Sequence, residues 1–266
     1  MKKIFMILVS MLCLLLVAGC GSDNKQSAAP AAEKSEKVLR VATSPSSPPF
    51  ELYLKEQNKF TGFDIDMMND IAKKMGYDRV EFISKDFEQL LPGLDSKEYD
   101  IAMNNFSATN ERKEKYAYSD PYAKAAFSVV ANKKNKLTMN DVAGRKIAIK
   151  AGTSAARVAK TFANAQIVEY PEYASALHAV ETDEADFAIC GNLTAAYLMT
   201  HNDNDKCLEV IGHSERQDDL VIYAAKGNDE LIKSFNTALH EYKKSGEYKK
   251  LIAFYFGDIE KQADND

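Results

Sequence analysis

The chain has 266 residues, a formal charge of −5 and 45% apolar residues, the profile of an ordinary globular protein. It has no basic run and no interleaving of basic with aromatic residues, so a nucleic-acid partner is not expected. The four histidines, His178, His201, His213 and His240, show no metal-ligand spacing, and neither a metal nor a cofactor is expected.

Residues 1–19 read as a removable segment rather than as part of the fold. Lys2 and Lys3 precede an apolar run from Ile4 to Val17, broken only by Ser10. The run falls short of the ~20 apolar residues of a comfortable membrane span, and it predicts an export signal. Its end, LVAGC, resembles the lipobox of bacterial lipoproteins. That resemblance implies cleavage before Cys20, acylation of Cys20 and attachment to a membrane outside the cytoplasm. The alternative is an ordinary signal peptide with an incidental cysteine. Residues 20–37 continue as GSDNKQSAAPAAEKSEK after Cys20, without a large apolar residue, and predict a disordered tether. Loss of Lys2 and Lys3 takes the charge to −7.

From Val38 onward strands and helices alternate. VLRVAT (38–43) predicts a strand. FDIDMMNDIAKKM (63–75) predicts a helix with Met67, Ile71 and Met75 on one face and Gly76 as a stop. RVEFIS (79–84) predicts a strand, FEQLLPGL (87–94) a helix bent by Pro92, and YDIAMN (99–104) a strand. This βαβαβ order implies parallel strands with helical crossovers. AFSVVANK (126–133) is another strand, and LTMNDVAG a short helix capped by Thr138 and Asp141. The alternation then restarts with KIAIK, SAARVAKTFAN, QIVEY, YASALHAVE, DFAIC, LTAAYLMTH and CLEVIG, followed by the strand LVIYAAK (220–226). Helices over 229–244 and 247–255 finish the chain, with Leu231, Phe235 and Leu239 on one face. If the strands ending at Cys190 and starting at Cys207 run parallel, those cysteines lie at opposite ends of a sheet and do not pair. Two α/β halves of this kind leave a cleft at the carboxyl ends of their strands, the expected ligand site.

Several segments in order resemble the bacterial extracellular solute-binding proteins of family 3, the amino-acid receptors of ATP-driven importers. They are LRVATSPSSPPFEL, GFDIDMMNDIAKKMG, LLPGLDSKEYDIAMNN, SATNERKEKYAYSDPY, VAGRKIAIKAGTS, YPEYASALHAVETDEADFAI and KSGEYKKLIAFYFGD, together covering nearly all of Val38 to Asp258. The resemblance implies a type II periplasmic-binding-protein fold, an α/β class with two lobes joined by two hinge strands and a ligand cleft between. Lobe 1 would comprise 38–126 and 222–266, and lobe 2 would comprise 127–221. The hinge strands would lie near Phe127–Val130 and Leu220–Ala224.

By position alone, Arg112 in NERKEK is a solvated helix turn. The resemblance matches Thr109, Glu111 and Arg112 to a family motif whose arginine clamps a ligand α-carboxylate, a task suited to a planar guanidinium fork. Ser107 matches a further carboxylate contact. Thr153 and Ser154, with Gly152 in the turn before a helix, are set to offer main-chain N–H groups to an anion or simply to cap the helix. Phe87 is either a pocket wall or core, and Phe50 either a ligand contact or core. Asn104 and Asn105 either hydrogen-bond a polar ligand or shape a turn.

Three positions depart from the family pattern. Ser44 and Ser47 stand where an acidic and an aromatic residue are usual, and Gly191 stands where an aspartate meets the ligand ammonium. Asn192, or Asp218 or Asp219, would have to substitute, or the ligand lacks a conventional α-ammonium. The function implied is a substrate-binding lipoprotein that takes a small carboxylate-bearing solute, a polar amino acid or derivative, by lobe closure. It is expected to be a monomer that works with an ABC permease and its ATPase, and not to be an enzyme. Alternatives are a prephenate-dehydratase-like enzyme on the same scaffold, with Glu172 and His213 as loop candidates, and a ligand-binding partner of a separate sensor.

Overall fold

The computed structural model describes residues 36–201, 206–215 and 217–263, with side chains to residue 257. The export signal, Cys20 and the tether up to residue 35 lie outside the described residues. At the tether's end Lys37 is held in place, its N–H donating to the Asp78 carboxylate at 2.7 Å.

The first half runs β1 (Val38–Thr43), a hairpin meander of β2 (Ser46–Ser47), β3 (Glu51–Leu54) and β4 (Lys59–Thr61), then α1 (Phe63–Lys74), β5 (Arg79–Ser84), α2 (Pro92–Asp95) and β6 (Ile101–Ser107). It continues with α3 (Asn110–Lys115), β7 (Ala117–Tyr118) and β8 (Ala123–Ala125). The second half runs β9 (Phe127–Asn132), β10 (Lys146–Lys150), α4 (Ala155–Ala159), β11 (Gln166–Tyr170), α5 (Tyr173–Glu181), β12 (Phe187–Gly191), α6 (Asn192–His201) and β13 (Leu208–His213). The chain then returns through β14 (Asp218–Ala224) to α7 (Asp229–Lys244) and α8 (Glu247–Ala263).

Two sheets share one plan. In the first, β1 lies parallel between β5 and β6, and β14 runs antiparallel on the far side of β6 and carries β7 and β8. In the second, β10 lies parallel between β11 and β12, and β9 runs antiparallel between β12 and β13. Alternate residues go to opposite faces, as a pleat requires. Val41, Ile101, Leu220 and Ile222 pack with α1, α7 and α8, while Ala42, Ala102, Val221 and Tyr223 form the core on the opposite face. The second sheet divides likewise, with Val130, Ala148 and Ala188 on one face and Val129, Ile149 and Ile189 on the other.

The chain passes from the first sheet to the second between Ala125 and Phe127, and returns between His213 and Asp218. The two crossings are stitched together by Phe127 N–H donating to Ser214 Oγ at 3.0 Å and Ser214 N–H donating to the Phe127 carbonyl at 2.7 Å. Residues 218–221, assigned to lobe 2 on sequence grounds, pair here with β8 and β6 of the first sheet.

Most predicted elements stand where the pattern places them, and the Thr138–Asp141 capping box is present, around a single 3₁₀ turn. The helix expected over 87–94 is instead a 3₁₀ turn over Phe87–Gln89 followed by α2. Pro92 starts α2 rather than bending a longer helix, because its missing N–H is not needed in a first turn. Neither Cys190 nor Cys207 is in a disulfide among the described residues. β12 and β13 run parallel with β9 between them, and the cysteines lie toward opposite ends of it.

Gly62 fixes the junction between the hairpin and α1. It has φ +129°, and a Cβ there would stand 2.2 Å from the Phe50 carbonyl oxygen. Gly62→Ala is therefore expected to destabilise the fold by about 2–4 kcal/mol, from backbone strain and overpacking together. Urea unfolding of the variant beside the parent measures it.

Candidate functional site

The carboxyl ends of both parallel strand sets meet at one cleft. Its walls include Phe50, Phe87, Asn105, Phe106, Ser107, Arg112, Thr153, Ser154, Tyr173, Gly191 and Asn192. The cavity left between them is small, about 30 Å³. A metabolite enters only when the halves part or the lining side chains swing aside.

Arg112 is placed by its own motif. Thr109 caps α3 by accepting the Arg112 N–H at its Oγ1, 3.3 Å away. This orients the arginine across the end of β6, with its guanidinium over the Phe106 ring at 5.1 Å. Nη1 donates to the Ser107 carbonyl at 3.1 Å, and Nη2 crosses to the Gly152 carbonyl at 3.0 Å. The two sheets' loops are thus joined by one cation. Burial lowers its pKa from the ordinary value, and it remains a cation. Gly152 has φ +69°, and a Cβ there would come within 3.5 Å of the Phe87 ring, so the two halves are close-packed at this turn.

The turn after β10 behaves differently from a simple helix cap. Thr153 Oγ1 donates back to the Lys150 carbonyl at 2.7 Å. Ser154 makes no side-chain cap to α4, and its buried Oγ has no hydrogen-bond partner among the described residues. α4 is a single short turn of five residues, so its dipole is small. Asn192 Oδ1 is likewise buried without a partner. Both residues line the cleft.

Lys150, unmarked in the sequence, is a further buried charge, set behind two residues of the cleft wall, Phe87 and Tyr173. It is the last residue of β10 and is 1% exposed. Its Nζ donates to Ser46 Oγ across the cleft at 2.6 Å and sits 4.9 Å from the Phe87 ring and 5.5 Å from the Tyr173 ring. Burial lowers its pKa, against the pull of Glu172 and Glu51. A lysine ending a parallel strand just before a Gly-Thr-Ser turn sits where such folds bind ligands, and that was the available signal.

Two expected ligand contacts do not line the cavity. Asn104 is fully buried. Its Oδ1 accepts from Ser44 N–H at 2.6 Å and from Thr43 Oγ1 at 3.2 Å, and its Nδ2 points to Glu51 Oε2 at 3.5 Å. It is therefore neither a turn residue nor a ligand contact in this arrangement. Ser47 is 1% exposed in β2. Asn105 holds its place with φ +38° and a main-chain N–H donating to Asp64 Oδ2 at 3.0 Å.

Neither aspartate near the second crossing replaces a residue at Gly191. Asp218 is buried and paired with Arg157 of α4, Nη2 to Oδ1 at 2.6 Å. Asp219 pairs with Lys124 at 3.0 Å. Both are committed to the crossing rather than to the cleft. His213 Nδ1 lies 3.1 Å from Ser128 Oγ, and neither His213 nor Glu172 is in the cleft wall.

Behind the wall, Glu51 and Asp64 are fully buried and act on each other's carboxyl directly. Tyr122 donates to Asp64 Oδ2 at 2.9 Å. Burial, reinforced by Asp64, pushes the Glu51 carboxyl well above the ordinary range, so Glu51 holds the proton between them.

The arrangement of two α/β sheets in 2-1-3 order, each with an antiparallel returning strand and an arginine in the cleft between, is that of type II periplasmic binding proteins. A model of the bacterial extracellular solute-binding proteins, family 3, matches residues 39–258; the chain belongs to this family. It is 29% identical to a probable histidine-binding protein of Campylobacter jejuni over 93% of this chain and 96% of that one. It is 28% identical to the arginine-binding extracellular protein ArtP of Bacillus subtilis, over 96% of this chain and 98% of that one. A solved ancestral arginine-binding protein bound to glutamine superposes with TM-score 0.77 at 31% identity, over 84% of this chain and 99% of that one. No described helix is long and apolar enough to cross a membrane.

The Glu51–Asp64 pair gives a signed pH dependence. In the unfolded chain Glu51 loses its proton near pH 4.3, whereas the folded protein keeps it to a higher pH. Above pH ~4.3 the folded state binds more protons than the unfolded one, so this group's contribution to stability falls as pH rises until its folded pKa is passed. Glu51→Gln removes that loss. Its melting temperature relative to the parent is expected to rise between pH 5 and pH 8 in paired thermal melts.

Proposed function

We propose that this protein is the extracytoplasmic substrate-binding lipoprotein of an ABC importer, and that it binds a small carboxylate-bearing solute, a polar amino acid or derivative, by closing two lobes. The observation that carries the reading is the Arg112 guanidinium in the cleft, fixed on Phe106 and reaching main-chain carbonyls on both sides. A carboxylate there would exchange neutral carbonyl acceptors for charged ones, and hydrogen bonds to charged groups contribute about 1.5–3 kcal/mol each. Ser154 Oγ offers a further donor, and Asn192 Oδ1 offers an acceptor for an ammonium in place of the family aspartate. Because these groups come from different lobes, the ligand favours the closed state, in which it makes all of them.

We place lobe 1 at residues 38–126 together with the chain from Asp218 onward, and lobe 2 at 127–217, following sheet membership. The hinge is then the pair of crossings stitched at Phe127 and Ser214. Export and lipid attachment at Cys20, and delivery of the solute by a monomer to a permease and its ATPase, complete the proposal and rest on the LVAGC motif and on family membership. A dehydratase-like enzyme has less support, since the cleft wall holds no aspartate, glutamate or histidine among the described residues to act as general base.

Arg112→Ala is expected to weaken binding of a carboxylate ligand by at least ~100-fold with the fold intact, the loss of two charge-assisted hydrogen bonds. Titration calorimetry beside a circular-dichroism melt checks it, and unchanged affinity rejects the clamp. Cys20→Ala in an expressing bacterium is expected to move the protein from the membrane fraction to the soluble fraction and to abolish incorporation of labelled palmitate. A palmitate-labelled variant would reject the anchor.

A further inference from the structure

On the reading that this cleft binds a carboxylate-bearing solute by lobe closure, we infer that Arg157 and Asp218 form a latch outside the cleft: their ion pair ties α4 to the returning strand β14 and sets the affinity of the site without touching the ligand. Arg157 is a positioning residue, acting through the turn that carries Thr153 and Ser154.

The two partners are anchored in different halves. Asp218 opens β14, where it pairs with Ala125 of β8, and the carbonyl of the next residue, Asp219, accepts the Ala108 N–H at 2.9 Å. These contacts fix the carboxylate to the first sheet. Arg157 stands in α4, whose Ala155, Val158 and Ala159 share a core with Ile147, Ile149 and Ile189 of the second sheet. At 100° per residue those three positions lie on one face and position 157 on the other. The Arg157 side chain is accordingly turned outward, 46% exposed. A motion that parts the sheets therefore draws the guanidinium off the carboxylate.

The pair is asymmetric, and this gives the latch its strength. Asp218 is 7% exposed. Arg157 Nη2 donates to its Oδ1 at 2.6 Å and also contacts Oδ2. A carboxylate so buried is costly without a cation, and the neighbouring cations are otherwise engaged. Lys113 lies over the Tyr118 ring at 5.2 Å, and Lys124 pairs with Asp219. Beside the pair is a depression of about 280 Å³ lined also by Thr109 and Lys113. With α4 withdrawn, water reaches Asp218 from this side. The carboxylate is thus paired when the halves meet and hydrated when they part. Removing Arg157 costs the closed state more than the open one.

Latch and ligand contacts share one turn. The Ser154 carbonyl accepts the Arg157 N–H at 3.0 Å and the Val158 N–H at 3.3 Å. Ser154 lines the cleft, and its buried Oγ has no hydrogen-bond partner among the described residues. Seating α4 on Asp218 therefore sets Ser154 in the cleft wall. The sequence hides this coupling, because sixty-one positions separate Arg157 from Asp218.

The test is calorimetric titration of the full chain, stripped of carried ligand by unfolding and refolding, with the twenty standard L-amino acids and L-cystine as probes. Arg157→Met is expected to weaken the tightest-bound probe at least ~5-fold, less than the loss of a wholly buried pair because the guanidinium is half-exposed. The loss is expected in the dissociation rate of radiolabelled probe, with association unchanged. A smaller loss in a folded Arg157→Met overturns the inference. Asp218→Asn breaks the pair from the other side without stranding a charge, and is expected to cost at least ~2-fold. Parent-like affinity there overturns the inference even if Arg157→Met does not fold. The double variant is expected to bind as Asp218→Asn does, tighter than Arg157→Met, whereas losses that simply multiply overturn the latch. The broader reading fails separately. If the parent binds a probe, Arg112→Ala abolishes that binding and Arg157→Met leaves it intact, the receptor function stands without the latch. If the parent binds none of the probes, the amino-acid receptor reading fails and the latch falls with it.

Discussion

A positive charge held in a nearly dry gap between two sheets is the constraint around which this molecule is organised. A guanidinium needs acceptors in its own plane, and Arg112 finds them in the carbonyls of Ser107 on one side and Gly152 on the other. Its face rests on Phe106, which supplies both packing and quadrupole attraction. Main-chain carbonyls bear only partial charge, so the cation is satisfied geometrically but not electrostatically. That residual deficit makes the cleft a receptor for anions, and the placement of the contacts on both sheets couples anion binding to the distance between them.

The structure behind the gap is a buried, hydrogen-bonded network. Asn104, Ser44, Thr43 and Glu51 are tied into one buried network at the end of β1 and β6, and Asp64 anchors the next residue, Asn105, through its main-chain N–H. The Gly62 turn, with its positive φ, delivers Asp64 to Glu51. A proton on Glu51 keeps the pair from carrying two negative charges, which at such separation in a low-dielectric interior would not both persist. The buried acid pair therefore stiffens the wall without cancelling its charge.

Much of this was legible in the sequence wherever the signal is local. Strand and helix alternation, the α1 face and the Thr138–Asp141 box depend on neighbours a few residues apart, and they stand as the pattern implies. The cleft residues carried by ordered motifs, Arg112 and Ser107 in one half and Thr153 and Ser154 in the other, do line a common cavity. Features set by long-range partners were not legible. Asn104 reads as a polar strand end, and only the approach of Ser44, sixty positions away, makes it internal. Asp218 reads as a free carboxylate until Arg157, sixty-one positions away, is packed against it. The meander over residues 46–61 was missed because SSPPFELYLKEQNKFT has prolines and little alternation, and its pairing is fixed by the turn around Asn58.

Lys150 shows why composition of a motif says less than its depth. As the last letter of KIAIK it looks like a solvated strand end, since lysine is among the residues least often buried. Continuing the strand's own alternation inward places it between two aromatic rings at 1% exposure. Ser46, which approaches from the first half of the chain, accepts from the ammonium at 2.6 Å. Burying a lysine is costly, and the pull of Glu172 and Glu51 offsets part of that cost. Depth, partner and countercharge all come from residues far from KIAIK in the chain, so the strand alone does not show the setting of its last lysine.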